Sequence, residues 1–441
     1  MSACARALGL LGAALSICAA PAYALLPIEH WETSTGARVY FVRSDDLPMV
    51  DISVQFPAGS GRDTRARSGL AGLTLGLLPG GTADLDEEEV SRRLADVGSK
   101  LGQTFDYDRA GLSLRSLSAE ANLAPALEVL ASILQRPSFP TAALEREKAR
   151  VLAGLQETDA KPAGIASRTF GRLVYRDHPY GLRASGEKES VAHLTRENLA
   201  QFHAGFFNRR DAVVAIMGDV SRPRAEAIAE RLTAGLPEAG GPLPPLPPVA
   251  PLEAASMSRI AYPSAQAHIF LGAPGMKRDD PDYFALWAGN HILGGGGFSS
   301  RLTEELREKR GLTYSVYSRF SPYEQAGTFQ IGLQTRADQA DQALEVVRDA
   351  LARFTAEGPV PEELESAKRS LVGGFPLRID SNRKIHDYLG VIGFYRLPLD
   401  YLDRFPDRIQ AVTTDRVRDA FQRRIHPQRM VTVVVGGAPA Q

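Results

Sequence analysis

The stretch that decides the fold is residues 299–318, Ser299-Ser300-Arg301-Leu302-Thr303-Glu304-Glu305-Leu306-Arg307-Glu308-Lys309-Arg310-Gly311-Leu312-Thr313-Tyr314-Ser315-Val316-Tyr317-Ser318. It follows four glycines, Gly294 to Gly297, and offers Ser299 or Ser300 as a helix N-cap. Leu302 and Leu306 form a helical apolar stripe with charge on the opposite face. Gly311 stands where such a helix would end, because glycine enters the left-handed region without strain. Beyond it Leu312, Tyr314, Val316 and Phe320 alternate with polar residues, the spacing of a strand. Arg307 therefore falls in the last turn of a helix and Tyr314 near the start of the next strand. A guanidinium and a phenol converging from two such elements can grip a peptide carbonyl, or an oxyanion formed from it. Spacing alone favours a plainer expectation, a surface arginine and a half-buried strand tyrosine. The rest of the chain decides between them.

The chain has 441 residues, 44% hydrophobic and 23% charged, with a formal net charge of −1. That length suggests two domains or more, and the balance of charge gives no basic block to steer it to nucleic acid. Residues 1–24 read as an export signal. Arg6 precedes an apolar run from Ala7 to Ala20, and Pro21-Ala22-Tyr23-Ala24 supplies small residues for cleavage after Ala24. The run is short for a membrane anchor. A lipoprotein box at Leu15-Ser16-Ile17-Cys18 is spoiled by the bulky Ile17. The only cysteines, Cys4 and Cys18, would leave with the signal, so the mature chain has no disulfide. A bacterial periplasm is the expected location.

Two β-rich runs, 37–42 and 50–56, open the mature chain and suggest a strand pair joined by a turn at Pro48. Helices are expected near 69–78, 87–98, 119–135, 141–158 and 195–205, then a strand over 212–217. Residues 235–254 form a linker with seven prolines between Pro237 and Pro251, an extended spacer rather than a helix or inner strand. On either side the sequence repeats. Ala126-Leu127-Glu128-Val129 recurs as Ala343-Leu344-Glu345-Val346, and Val213 to Gly218 is echoed by Val431 to Gly436. Matching features keep a separation of about 217–221 residues, which marks a duplicated domain rather than a solenoid. The expected fold class is α+β. Domains 25–234 and 255–441 would each be a mostly antiparallel sheet with helices on one face. Opposed sheets would make a clam-shell hinged at the linker.

The segments Leu293-Gly294-Gly295, Ser299-Ser300-Arg301-Leu302 and Leu306 to Val316 resemble the second domain of pitrilysin/insulysin-type zinc peptidases. The similarity is closest to their short two-domain branch, which includes mitochondrial processing peptidase and paired bacterial periplasmic subunits. His178-Pro179-Tyr180-Gly181 and residues 194–199 fit the same branch, and the resemblance spans roughly residues 28–437. Active members carry His-x-x-Glu-His on an early helix. Its two histidines lie on one helical face and bind zinc, its Glu polarises water, and a Glu on a later helix completes the ligand set. The matching helix here runs from Ser68 to Thr82. In that frame the histidine positions are Gly72 and Gly76 and the base position is Leu75. The third-ligand position is Gly154, seven residues after Glu147. No histidine occurs between His30 and His178, and the eight in the chain are scattered. No metal or other cofactor is therefore expected in this chain. Because a helix-interior glycine costs about 1 kcal/mol relative to alanine, Gly72, Gly76 and Gly154 suggest two helices packed backbone to backbone.

Arg307 and Tyr314, by contrast, keep the family's seven-residue separation. The resemblance implies that the tyrosine steadies a tetrahedral oxyanion while the arginine holds a nearby substrate carbonyl. A chain with that pair and no ligands implies a noncatalytic subunit. It would complete the zinc site of a homologous partner carrying His-x-x-Glu-His, in a heterodimer or a dimer of heterodimers, for hydrolysis of peptide substrates. Strand residues 102–108 match an edge where substrates of active members add a strand, although Asp106 and Asp108 would also blunt an ordinary edge. The alternative is a non-proteolytic peptide-binding or scaffold protein. A weaker third reading is a peptidase with no metal or a relocated one.

Overall fold

The computed structural model describes residues 27–238 and 240–437; the expected signal segment and its cysteines lie outside them. The first half contains strands β1 (Glu29–Glu32), β2 (Arg38–Arg43), β3 (Met49–Phe56), β4 (Lys100–Phe105), β5 (Ala110–Leu117) and β6 (Val213–Gly218). Its helices are α1 (Leu70–Leu77), α2 (Glu87–Asp96), α3 (Glu120–Gln135), α4 (Thr141–Asp159), α5 (Pro162–Tyr175), α6 (Lys188–His193), α7 (Arg196–Phe206) and α8 (Arg222–Ala234). The second half holds β7 (Ser256–Ile260), β8 (Gln266–Pro274), β9 (Val316–Phe320), β10 (Thr328–Arg336) and β11 (Val431–Val435). Around these lie α9 (Tyr283–Asn290), α10 (Arg301–Thr303), α11 (Ala340–Glu357), α12 (Pro361–Gly373), α13 (Asn382–Phe394), α14 (Phe405–Gln410) and α15 (Thr414–Arg424).

The two sheets share a five-strand topology, to which the first adds β1 at its edge. The first runs β1-β2-β6-β3-β5-β4 and the second β7-β11-β8-β10-β9. Only β2/β6 and β7/β11 are parallel; the other neighbours are antiparallel. The expected pairing of β2 with β3 does not occur, because β6 lies between them. The reason is legible in β6 itself. Every residue of Val213-Val214-Ala215-Ile216-Met217 is buried, as befits a central strand, whereas a hairpin partner would leave it at an edge.

The halves are interlocked by an exchange of helices. Helix α5 packs on β8 and β11 of the second sheet, and α13 packs on β2, β3 and β6 of the first. Glycine permits both approaches. A Cβ on Gly393 would stand 2.6 Å from the Tyr40 ring, and one on Gly272 would stand 2.9 Å from the Phe170 ring. One continuous apolar core consequently joins Tyr40, Val213 and Met217 of the first sheet to Ile269, Leu389 and Ile392 of the second half. Buried Asp108 fastens the same boundary. It accepts hydrogen bonds from Tyr180 Oη, from Tyr395 Oη at 2.7 Å and from the Glu324 amide at 2.7 Å. Burial pushes its carboxyl above the usual range despite those donors.

These contacts overturn the hinged clam-shell. The proline-rich segment is strapped down: Leu246 and Leu252 are buried, Arg62 donates to the Pro244 carbonyl, and His178 Nε2 donates to that of Pro247 at 2.8 Å. Opening the halves would uncover two sheet faces and the Asp108 carboxylate together.

Candidate functional site

The positions at which the resemblance places metal ligands, Gly72, Gly76 and Gly154, lie on α1 and α4. Asp63 fixes the start of α1 by accepting from the amides of Gly69 at 2.8 Å and Ala71 at 2.9 Å. Burial pushes its carboxyl up to about 7, against the lowering effect of those two amides. Gly69 adopts φ +89, a left-handed turn into the helix. The scaffold is intact, but its side chains supply no donor. Leu75 is core, 2% exposed. A Cβ on Gly72 would touch the Phe105 ring and the Ala184 carbonyl at 3.4 Å, and one on Gly76 would sit 3.7 Å from Glu147 Oε1. Nothing lies within 4 Å of a Cβ built on Gly154. The helix-to-helix backbone packing expected of these glycines is therefore absent: Gly72 faces a ring and a loop carbonyl, Gly76 a side chain and Gly154 open space. Glu147 itself is engaged by Arg150. Among the described residues no group of three or more histidine, cysteine or acidic side chains could hold a metal ion. The side chains at these positions do not fit a zinc ion.

Arg307 and Tyr314 are brought together. After α10 the chain widens into a π-helical turn over Glu304–Glu308, closed by the Lys309 amide on the Glu304 carbonyl at 3.0 Å. Gly311, at φ +61, then reverses it, with its own amide on Arg307 O and that of Leu312 on Leu306 O. Leu312 and Thr313 are pinned to β10, since Thr335 Oγ1 donates to the Leu312 carbonyl and Thr313 Oγ1 to that of Gln334. Tyr314 is thereby thrown outward, 83% exposed and two residues ahead of β9, so the half-buried strand tyrosine expected from alternation is not found. The Arg307 guanidinium lies between two rings, 4.9 Å from the Tyr314 centroid and 4.7 Å from that of Phe298. Phe298 is 75% exposed and comes from the glycine run, where Gly297 takes φ +64. Sequence reading passed over it; its signal was a large aromatic set in a run of glycines.

Two interlocked α+β domains with matching sheets, the second setting a half-buried Arg307 against an exposed Tyr314, define a duplicated two-domain scaffold. Residues 38–187 match the family model described as insulinase (peptidase family M16), and residues 193–371 match that of the peptidase M16 inactive domain. The chain belongs to the M16 peptidase family, as a member without the zinc ligands. The crystal structure of a peptidase M16 inactive domain from Pseudomonas fluorescens is 40% identical, with a TM-score of 0.90 over 94% of this chain and all of that one. The non-peptidase homolog YmxG of Helicobacter pylori is 27% identical over 85% of both chains. An uncharacterized zinc protease YmxG of Bacillus subtilis is 25% identical over 88% of this chain and 94% of its own length.

Proposed function

We propose that this chain is the noncatalytic subunit of a periplasmic zinc metallopeptidase, and that Arg307 and Tyr314 complete the peptide-hydrolysing site of a homologous, zinc-bearing partner. The observation that carries this reading is the pairing of a half-buried Arg307 with an exposed Tyr314 in a chain whose own Gly72, Leu75, Gly76 and Gly154 offer no ligand or base. An exposed phenol can donate a hydrogen bond to a developing oxyanion, and the guanidinium beside it can hold the neighbouring carbonyl. Neither group has chemistry to perform without a metal-bearing surface opposite, so the reading requires a second chain.

The test is recovery of the tagged mature chain from its native periplasm with whatever co-purifies. A stoichiometric partner of similar length with His-x-x-Glu-His supports the proposal. Arg307→Ala or Tyr314→Phe should then lower kcat/KM of the complex about a hundredfold without altering assembly. The Helicobacter pylori relative, a non-peptidase homolog, favours the alternative, a non-proteolytic peptide-binding or scaffold protein. In that case the chain returns alone, or the two substitutions leave peptidase activity of the complex unchanged.

A further inference from the structure

The described residues contain two π-helical turns, His291–Gly295 and Glu304–Glu308, and they bracket one short segment. Such turns recur at functional sites, where the wider turn re-aims the side chains around it. The second carries Arg307. The first leads through the glycine run to Phe298, whose ring is largely exposed on a backbone that is firmly braced. The Gly297 carbonyl accepts from the Ser300 amide at 3.2 Å, from Ser300 Oγ at 2.7 Å and from Thr303 Oγ1 at 2.9 Å. Asn290 of α9 ties the same turn to β9, donating from Nδ2 to the Ser318 carbonyl at 3.2 Å and accepting from Ser318 Oγ at 2.8 Å. Arg307, for its part, has little ionic company. Glu304 is taken by Lys309, and Glu305 by Lys309 and Arg310. Only Glu308 reaches the guanidinium, with Oε1 3.4 Å from Nε. Among the described residues no ion pair or hydrogen bond engages its two Nη groups. The group is held through its faces instead, with Cζ 4.7 Å from the Phe298 centroid and 4.9 Å from that of Tyr314.

We infer that Phe298 is a positioning residue, whose ring holds the Arg307 guanidinium beside Tyr314 while leaving its Nη edge open to a peptide carbonyl. The carbonyl is that of the proposed function, on which this role rests; the stack itself does not depend on it. A ring restrains a guanidinium through its flat face and leaves the in-plane N–H donors unspent, whereas a carboxylate partner would occupy them. An aliphatic side chain at 298 would pack against the arginine but offer no negative ring face to the cation. Alanine would leave Tyr314 as the one ring restraining it. The same stack explains a large apolar side chain standing in solvent on a fixed backbone: its partner is a cation rather than the core.

Two readouts test it. In the lone chain, the Arg307 Nε–H resonance, assigned by its loss in Arg307→Lys, should be shifted upfield by the ring currents in the wild type and in Phe298→Tyr. It should move downfield in Phe298→Ala and Phe298→Leu. In the complex with its partner, Phe298→Ala should raise KM for a peptide about tenfold with kcat nearly unchanged, because the carbonyl held by Arg307 is already present in the bound substrate. Leucine should behave as alanine does, and tyrosine should restore the wild-type value. In an Arg307→Ala background, Phe298→Ala should add nothing. An Arg307 resonance unmoved by Phe298→Ala overturns the positioning role. So does a KM that is unchanged, is rescued by leucine, or still responds to Phe298→Ala without Arg307. A resonance that moves as expected, with no peptidase activity in any complex, keeps the stack and overturns the proposed function instead.

Discussion

The two halves carry the same helix–glycine–strand unit and use it differently. In the first, α2 ends near Gly98 at φ +67, and Ser99 is buried at once, its hydroxyl on Ser116 Oγ, before β4 begins at Lys100. In the second, Gly311 at φ +61 is followed by four residues before β9 starts at Val316. Those extra residues, tied to β10 through Leu312 and Thr313, are what lift Tyr314 into solvent. The first half shows the opposite change. Its α1 and α4 keep their place, yet the side chains at the family's ligand positions are gone. One frame thus holds an exposed side chain on a longer loop in one half and small side chains at the corresponding helices in the other.

The comparison fails if the halves are independent bodies, and that is the largest effect to seek. Trp31 lies on β1 and Trp287 in α9, and they are the only tryptophans, so Trp31→Phe and Trp287→Phe variants each report one half. With α5 and α13 exchanged, both reporters should unfold in one coincident transition. Gly393→Leu, which drives a side chain into Tyr40 and Val213, should cost about 3 kcal/mol or more and lower both reporters together. Separate midpoints would show that the shared core does not couple the halves.

Asp108→Ala is next. It leaves Tyr180, Tyr395 and the Glu324 amide without their acceptor at the boundary, for an expected loss of about 3 kcal/mol by urea denaturation. Tyr395→Phe, which removes one donor and strands no charge, should cost about 1 kcal/mol. Equal losses from the two would mean that Asp108 acts through Tyr395 alone.

Much of this was legible beforehand. The duplication showed in recurring four- and six-residue words, and the two-domain α+β class in its strand and helix spacing. Adjacency was the part that sequence could not carry. A fully apolar run such as Val213–Met217 announces a central strand but not its neighbours, and nothing in the period of α5 or α13 says which sheet each will cover. Asp108 read as a polar guard on a sheet edge, because its partners lie up to 287 residues away. Tyr314 fitted strand alternation, and only the pins from β10 show that alternation does not begin until after it.

A pH-dependent effect sharpens the account of α1. Asp63 has a folded pKa of about 7 against an ordinary 3.8, so the folded state binds its proton more tightly than the unfolded chain does. Its contribution to stability is fully present below about pH 4 and is lost as pH rises through about 7. Asp63→Asn should remove that slope, narrowing the stability difference between pH 4 and pH 8 by on the order of 4 kcal/mol. If the slope is unchanged, Asp63 is ionised throughout and its two amide donors outweigh its burial.

The smallest effect separates two explanations of the glycines. A glycine kept so that helices can touch is damaged by any Cβ, whereas one left behind after a ligand was lost gains from it. Gly154 lies inside α4 with nothing within 4 Å of an added Cβ, and Gly76 has only Glu147 Oε1 at 3.7 Å. Gly154→Ala should therefore stabilise the chain by about 0.5–1 kcal/mol, by restricting the unfolded backbone and restoring helix propensity. Gly76→Ala should gain no more, since its methyl group would rest against a carboxylate held by Arg150. Gly72→Ala is the control: its Cβ would already touch Phe105 and Ala184 at 3.4 Å, so its gain should be the least of the three. Thermal melts of the three variants rank them directly. A loss at Gly154 would mean that an added Cβ there does meet a neighbour within the chain, and would return the glycine to the packing explanation.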